Sequence, residues 1–222
     1  MNEWNKPISG DGSVDLKQVA EALTGLIVRI SREQPPDLVD ALERGRASED
    51  SARARGILES LLENGRIARE DGVPLCQDTG LMVIFAEVGE DVHWKRGCFS
   101  SLEEALQEAS ARAAEQGFLR RSVCHPLTRA NTGTNTPAQI HWKLVPGKDL
   151  TLRVIAKGGG AENMSRLVML SPSRGEAGVV ETVVETVRQA GPNPCPPLVI
   201  GVGLGGSFDM AAVLAKKALL RT

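Results

Sequence analysis

Two cysteines far apart in the chain set the hardest constraint on how it can fold, because each sits in a loop that packing alone does not call for. Cys76 lies in Pro-Leu-Cys-Gln-Asp-Thr-Gly, residues 74–80, and Cys195 lies in Asn-Pro-Cys-Pro-Pro, residues 193–197. Each loop runs straight into an apolar stretch that reads as a strand, 81–88 after the first and 198–202 after the second. A buried structural cysteine behaves as a small hydrophobe and needs no such neighbours. Proline here stiffens the backbone around the sulfur, while polar and glycine positions leave room for something to approach. Ordinary loop thiols are one reading. The other is thiolate ligation of iron, since soft sulfur donors select iron–sulfur clusters, zinc or cuprous copper. If both sulfurs serve one centre, the fold must bring the two loops to a common pocket.

The rest of the chain narrows the class. Its 222 residues, 41% hydrophobic and 24% charged, can bury a real core as one large domain or two small ones. A net charge of −2 creates no field for nucleic acid or an anionic membrane. No long apolar run spans a bilayer, and the start Met-Asn-Glu-Trp-Asn-Lys lacks the pattern of a signal peptide, so a cytoplasmic protein is expected. Four cysteines far apart then argue for thiol or metal chemistry rather than a disulfide framework. There is no tyrosine, and three Trp and four Phe are the only rings, so Val, Leu, Ile and Ala must pack the core. So few stacking platforms also argue against a nucleic-acid partner.

Residues 1–13 are polar and glycine-containing, and read as a flexible arm. From Val14 the apolar positions Leu16, Val19, Leu23, Leu26, Ile27 and Ile30 recur at helical spacing, with Ser13 as the expected cap and Pro35-Pro36 as the stop. Helices follow over 37–44 and 51–70, the second expected to bury Ile57, Leu58, Leu61, Leu62 and Ile67. Ser101-Leu-Glu-Glu104 is a capping box opening a helix to about Gln116. Residues 139–145 and 150–156 read as two strands of a hairpin around Pro146-Gly147-Lys148-Asp149. A helix over 176–190, the second cysteine loop, a buried strand and a last helix from Ser207 complete the pass. The fold class is mixed α/β: a helical N-terminal segment, then mixed-sheet layers with packed helices.

Other motifs admit two readings each. Gly158-Gly159-Gly160 after a strand allows close backbone approach, so its N–H groups and Lys157 can cradle an anion, or it is only a turn. The loop Asn131-Thr-Gly-Thr-Asn135-Thr-Pro137 suits a polyhydroxy or carboxylate ligand, but structural support is the stronger reading. Gly201, Gly203 and Gly206 have dinucleotide-fingerprint spacing, yet the acidic residue expected about twenty positions later falls beyond Thr222, which sets nucleotide binding aside. His93, His125 and His141 are isolated, His141 in a packing role, and Cys98 and Cys124 lack shaped loops.

Taken together, PLCQDTG, FLRRS, RANTGTNTPAQIH, AKGGGAENMSRL, AGPNPCPP and VGLGGSFDMAAVLAKKALLR resemble, in this order, the class I iron–sulfur-dependent fumarate hydratases. The match is closest to the α subunit of the two-subunit fumarase and L(+)-tartrate dehydratase group, and it covers roughly residues 14–221. The resemblance implies one Fe–S hydro-lyase α-subunit domain over 14–222 and a [4Fe–4S] cluster held by three cysteines. Cys76 and Cys195 match two of the three, and an open iron acts as Lewis acid. It implies substrate contacts at Gln77, Asp78, Arg120 and Gly160. Arg120 can hold a carboxylate through two parallel charge-assisted bonds. The third cluster cysteine of the family lies downstream of AKKALLR, so the chain reads as the N-terminal portion of an α subunit, with the catalytic base on a β part. The implied function is reversible hydration of fumarate to (S)-malate, a tricarboxylic acid cycle step, by an oligomer with a β subunit. L(+)-tartrate dehydration, or a fragment that binds partner chains without a complete cluster, are the alternatives.

Overall fold

A computed structural model describes residues 13–221. The expected N-terminal arm lies outside these residues except for Ser13, which opens the first strand. The architecture is mixed α/β, as expected, and the chain divides into two compact units, Met1–Ala156 and Lys157–Thr222.

Strand β1 (Ser13–Asp15) pairs in parallel with β3 (His93–Lys95), and helix α1 (Leu16–Ile30) follows at once. Ser13 is therefore not the cap. Asp15 is, its Oδ1 accepting the Lys17 N–H at 2.8 Å. Leu16, Val19, Ala20, Leu23 and Ile27 line the buried face of α1 at helical spacing. They meet Ala105, Leu106, Ala109 and Ala113 of α4 (Leu102–Gln116), whose small side chains let the two helices approach closely. Thr24 shows how close: its hydroxyl lies within 3.3 Å of the Ala109 carbonyl across the interface. Helix α4 starts as the capping box requires, Ser101 Oγ accepting the Glu104 N–H at 3.1 Å. Glu104 reaches back one residue further than expected, to the Ser100 N–H at 2.7 Å.

The main sheet has the order β4–β2–β5, with β2 at Leu81–Gly89, β4 at Gln139–Val145 and β5 at Leu150–Lys157. Strands β2 and β4 are parallel, registered from Val83 opposite Gln139 to Gly89 opposite Val145, so β2–α4–β4 is a crossover unit. Met82 and Ile84 face the helices and join Leu150 and Val154 of β5 in the core. On the other face of β2, Phe85 stacks on His141 with ring centroids 4.8 Å apart, the packing role expected for that histidine. Phe99 is the one ring among the buried members of this cluster, as an aliphatic composition requires.

The expected hairpin is not formed, because β2 lies between its two strands. The 146–149 link instead spans the end of β2, where Glu90 N–H bonds to Val145 O and Asp91 N–H to Gly147 O, each at 2.9 Å. A second departure concerns α2 (Pro36–Ser48) and α3 (Ala52–Asp71), which pack on each other. Leu42 of α2 is buried, but on α3 only Gly65 and Ala68 are, while Ile57 and Ile67 are exposed.

In the second unit β5 ends in a short helical turn, α5 (Gly159–Glu162). Helix α6 (Gly175–Ala190) and α7 (Phe208–Ala218) follow. The buried strand expected over 198–202 is absent: these residues are irregular, and Val199 is 62% exposed. Without a hydrogen-bonded neighbouring strand, the apolar run has nothing to bury it.

Gly89 is where the sheet tolerates no side chain. A Cβ there would lie 2.3 Å from the Gly147 carbonyl oxygen and 2.9 Å from the Asp149 nitrogen, both backbone atoms of the spanning link. Gly89→Ala is expected to cost about 1–3 kcal/mol, the usual range for overpacking a closed contact. Urea unfolding checks this, with a lower midpoint at an unchanged slope.

Candidate functional site

Parallel strands begin at the same edge of a sheet, and this places the segments that precede β2 and β4 side by side. Before β2 comes the first cysteine loop; before β4 comes the Asn/Thr-rich loop. Gln107 of α4 holds the second arrangement in place, accepting the Ala138 N–H at 2.7 Å and donating to the Ala138 carbonyl at 3.0 Å.

The cysteine loop is anchored at both ends. Upstream, the Leu75 N–H bonds to Ser31 O at 2.8 Å and the Asn64 amide donates to Leu75 O at 2.9 Å. Downstream, the buried Thr79 hydroxyl donates to the Arg120 carbonyl at 2.8 Å. Between these anchors the partly exposed Cys76 Sγ accepts the Asp78 N–H at 3.4 Å, and the Gln77 Oε1 lies 3.7 Å away.

Asn135 is the keystone of the opposite wall. It is 1% exposed and sits at a φ of 58°, a conformation asparagine tolerates better than most residues. Its Nδ2 donates to the Arg120 carbonyl at 2.8 Å, and its Oδ1 accepts the Ser122 N–H at 2.5 Å. Asn131 adds a 2.7 Å bond to the Arg121 carbonyl. The structural reading of the 131–137 loop is thus borne out. His125, which had no expected role, shapes the adjoining turn: its Nδ1 accepts the Thr128 N–H at 3.1 Å. Of the residues singled out from sequence, Cys76, Gln77, Asp78 and Arg120 come together here. The Arg120 side chain is exposed, and no ion pair engages it among the described residues.

Gly160 and Cys195 stand in the second unit. None of Gly158, Gly159 and Gly160 takes a positive φ; they form a helical turn closed by Glu162 N–H to Gly158 O at 2.9 Å. Lys157 is not left to an anion, since Glu162 pairs with it at 3.5 Å and with Lys216 of α7 at 2.6 Å. Cys195 is exposed, in a loop whose Asn193 amide reaches Met164 Sδ at 3.6 Å, just after the glycine turn. The glycines at 201 and 203 have a packing reason. A Cβ at either would lie 2.1 Å from a carbonyl oxygen of α7, Ala215 or Ala211.

The donor chemistry fits thiolate ligation. All four cysteines are free, and Cys76 and Cys195 lie on open loops. Cys124 instead faces the Asn131 amide at 3.5 Å. Among the described residues no group of three or more His, Cys, Asp and Glu could hold a metal ion. Sequence reasoning missed Thr79, Asn135 and Glu162 as individuals although all three fall in the quoted motifs. The partner of Thr79 is 41 residues away, at Arg120, and local spacing carries no trace of that.

The model of the family described as fumarate hydratase (Fumerase) matches residues 20–222. The putative L(+)-tartrate dehydratase subunit alpha of Methanocaldococcus jannaschii is 40% identical over 209 residues, covering 90% of this chain and 72% of that protein. The L(+)-tartrate dehydratase subunits alpha of Escherichia coli strains UTI89 and K12 are 33% and 32% identical over 225 residues, each covering 100% of this chain and 71% of the relative.

Burial pushes the Glu162 carboxyl up, but the hydrogen bond from Lys216 and the charges of Lys216 and Lys157 outweigh it and hold the group below the ordinary 4.5. A carboxylate held low in the fold contributes stability above its unfolded pKa and loses that contribution as pH falls through the folded one. Glu162→Gln should therefore be less stable than the native chain at neutral pH, and the gap should close as pH falls below 4.5. Thermal unfolding of both proteins between pH 7 and about 3 reads this directly. A gap that does not change with pH would assign the effect to packing instead.

Proposed function

The chain belongs to the fumarate hydratase (Fumerase) family, and from that premise we propose that it is the α component of an iron–sulfur hydro-lyase acting on a four-carbon dicarboxylate. Fumarate and (S)-malate are the pair proposed first, in keeping with the family description. L(+)-tartrate is the second reading, and the names of the relatives favour it. The observation that carries the proposal is the shared Arg120 carbonyl, which ties a guanidinium suited to carboxylates to the loop bearing a free thiol.

Cys76 and Cys195 are assigned as two thiolate ligands of a [4Fe–4S] cluster. When bound, the cluster supplies a Lewis-acid iron for the hydroxyl that leaves or adds at C2. The Asp78 N–H directed at Cys76 Sγ stabilises the ligating charge. Arg120 grips one carboxylate with two parallel bonds, and the absence of a side chain at Gly160 lets a substrate oxygen approach its backbone. Gln77 and Asp78 contact substrate from beside the first ligand. Proton transfer at the neighbouring carbon is assigned to a base on the β partner, so the chain alone is inactive. The assembly is proposed to be oligomeric and cytoplasmic, in keeping with four free thiols. No helix of the described residues is long and apolar enough to cross a membrane.

Ligand and substrate roles separate by variant. In the α–β complex Cys76→Ser should lose iron, since serine is a harder and far less acidic donor. Arg120→Ala should keep iron and lower kcat/KM by about tenfold or more, because a substrate carboxylate loses its guanidinium partner. Iron content measured beside kcat/KM decides. Arg120→Ala stripping iron as fully as Cys76→Ser would remove Arg120 from the substrate site.

A further inference from the structure

A long arginine side chain is aimed by the backbone that carries it, and the backbone at Arg120 is held by one atom. Its carbonyl oxygen accepts three hydrogen bonds: from the Thr79 hydroxyl at 2.8 Å, from Asn135 Nδ2 at 2.8 Å and from the Ser122 hydroxyl at 3.3 Å. Two of the donors belong to the wall that carries Arg120. Thr79 alone comes from the cysteine loop, three residues after Cys76 and one after Asp78. It is buried, at 7% exposure. Its own loop is fixed at the far end through both backbone groups of Leu75.

We propose that Thr79 is a positioning residue for the reaction, its hydroxyl fixing the Arg120 guanidinium relative to the Cys76 loop. The inference rests on the assignments of Arg120 to substrate and Cys76 to iron made above. Removing the hydroxyl leaves the carbonyl bonded to Asn135, so the wall stays folded while its register against the cysteine loop loosens. Displacement of a positioning group by about 1 Å can cost on the order of a hundredfold in rate.

The test uses the iron-loaded α–β complex and three variants: Thr79→Val, which keeps shape without the hydroxyl, Thr79→Ser, which keeps the hydroxyl, and Arg120→Lys. Thr79→Val is expected to keep its iron and lose about tenfold or more in kcat/KM, mostly through a raised KM for the dicarboxylate, and Thr79→Ser to restore most of it. In the Arg120→Lys background the effect of Thr79→Val should shrink, because two residues that act through one contact are not additive. An unchanged kcat/KM per iron with a lowered melting temperature would overturn the proposal in favour of a purely structural bond. So would an equal loss in Thr79→Ser, loss of iron in Thr79→Val, or full additivity with Arg120→Lys. Should Thr79→Val not fold, Thr79→Ala takes its place, and failure of both to fold would also overturn it. If Arg120→Lys itself leaves kcat/KM unchanged, it is the underlying reading of Arg120 that fails.

Discussion

The part of the candidate site that lies in the first unit depends on the parallel pairing of β2 with β4. Parallel strands need a long crossover, supplied here by α4, and they begin at one edge of the sheet. The segments entering the two strands are therefore neighbours, although the sequence separates them widely. One carries Cys76, Gln77, Asp78 and Thr79; the other carries Asn135, and the return from α4 carries Arg120. Helix α1 packed on α4 holds the crossover down, through an alanine-rich buried face. With so few rings in the composition, the sheet and this helix pair are sealed by aliphatic packing.

Burial divides the polar groups at this edge into two kinds. Thr79 and Asn135 are buried with their hydrogen-bonding capacity directed at one stretch of backbone. A buried polar group is costly unless bonded, so such residues fix a unique arrangement. Gln77 and Arg120 are exposed. In the second unit, Glu162 plays the fixing part by joining the end of β5 to α7 across the glycine turn.

Several local signals in the sequence were read correctly, but the Ser13 cap, the strand over 198–202 and the buried face of α3 were not, nor were the non-local pairings. The helix expected over 37–44 lies within a longer α2, and the cap and period of α4, the helix expected over 176–190 and strand β2 follow from side-chain pattern alone. Strand β1 did not, because three residues continuous with the α1 pattern look like its first turn, and only the partner His93–Lys95 makes them a strand. The 139–156 region carries every local mark of a hairpin, yet β2, far upstream, lies between its strands, with Gly89 packed against the link. The glycines at 201 and 203 matched a dinucleotide spacing, and what they answer is contact with the backbone of α7. The cysteine loop and Arg120 were legible as motifs; the carbonyl that unites them was not.

The most direct measurement is the anomalous iron signal in a crystal of the anaerobically reconstituted α–β complex with a bound four-carbon dicarboxylate. One iron–sulfur cluster bonded to both Cys76 Sγ and Cys195 Sγ, with a substrate carboxylate paired to Arg120, is the predicted result. Iron held by Cys98 or Cys124 instead, or a dicarboxylate bound away from Arg120, would contradict it.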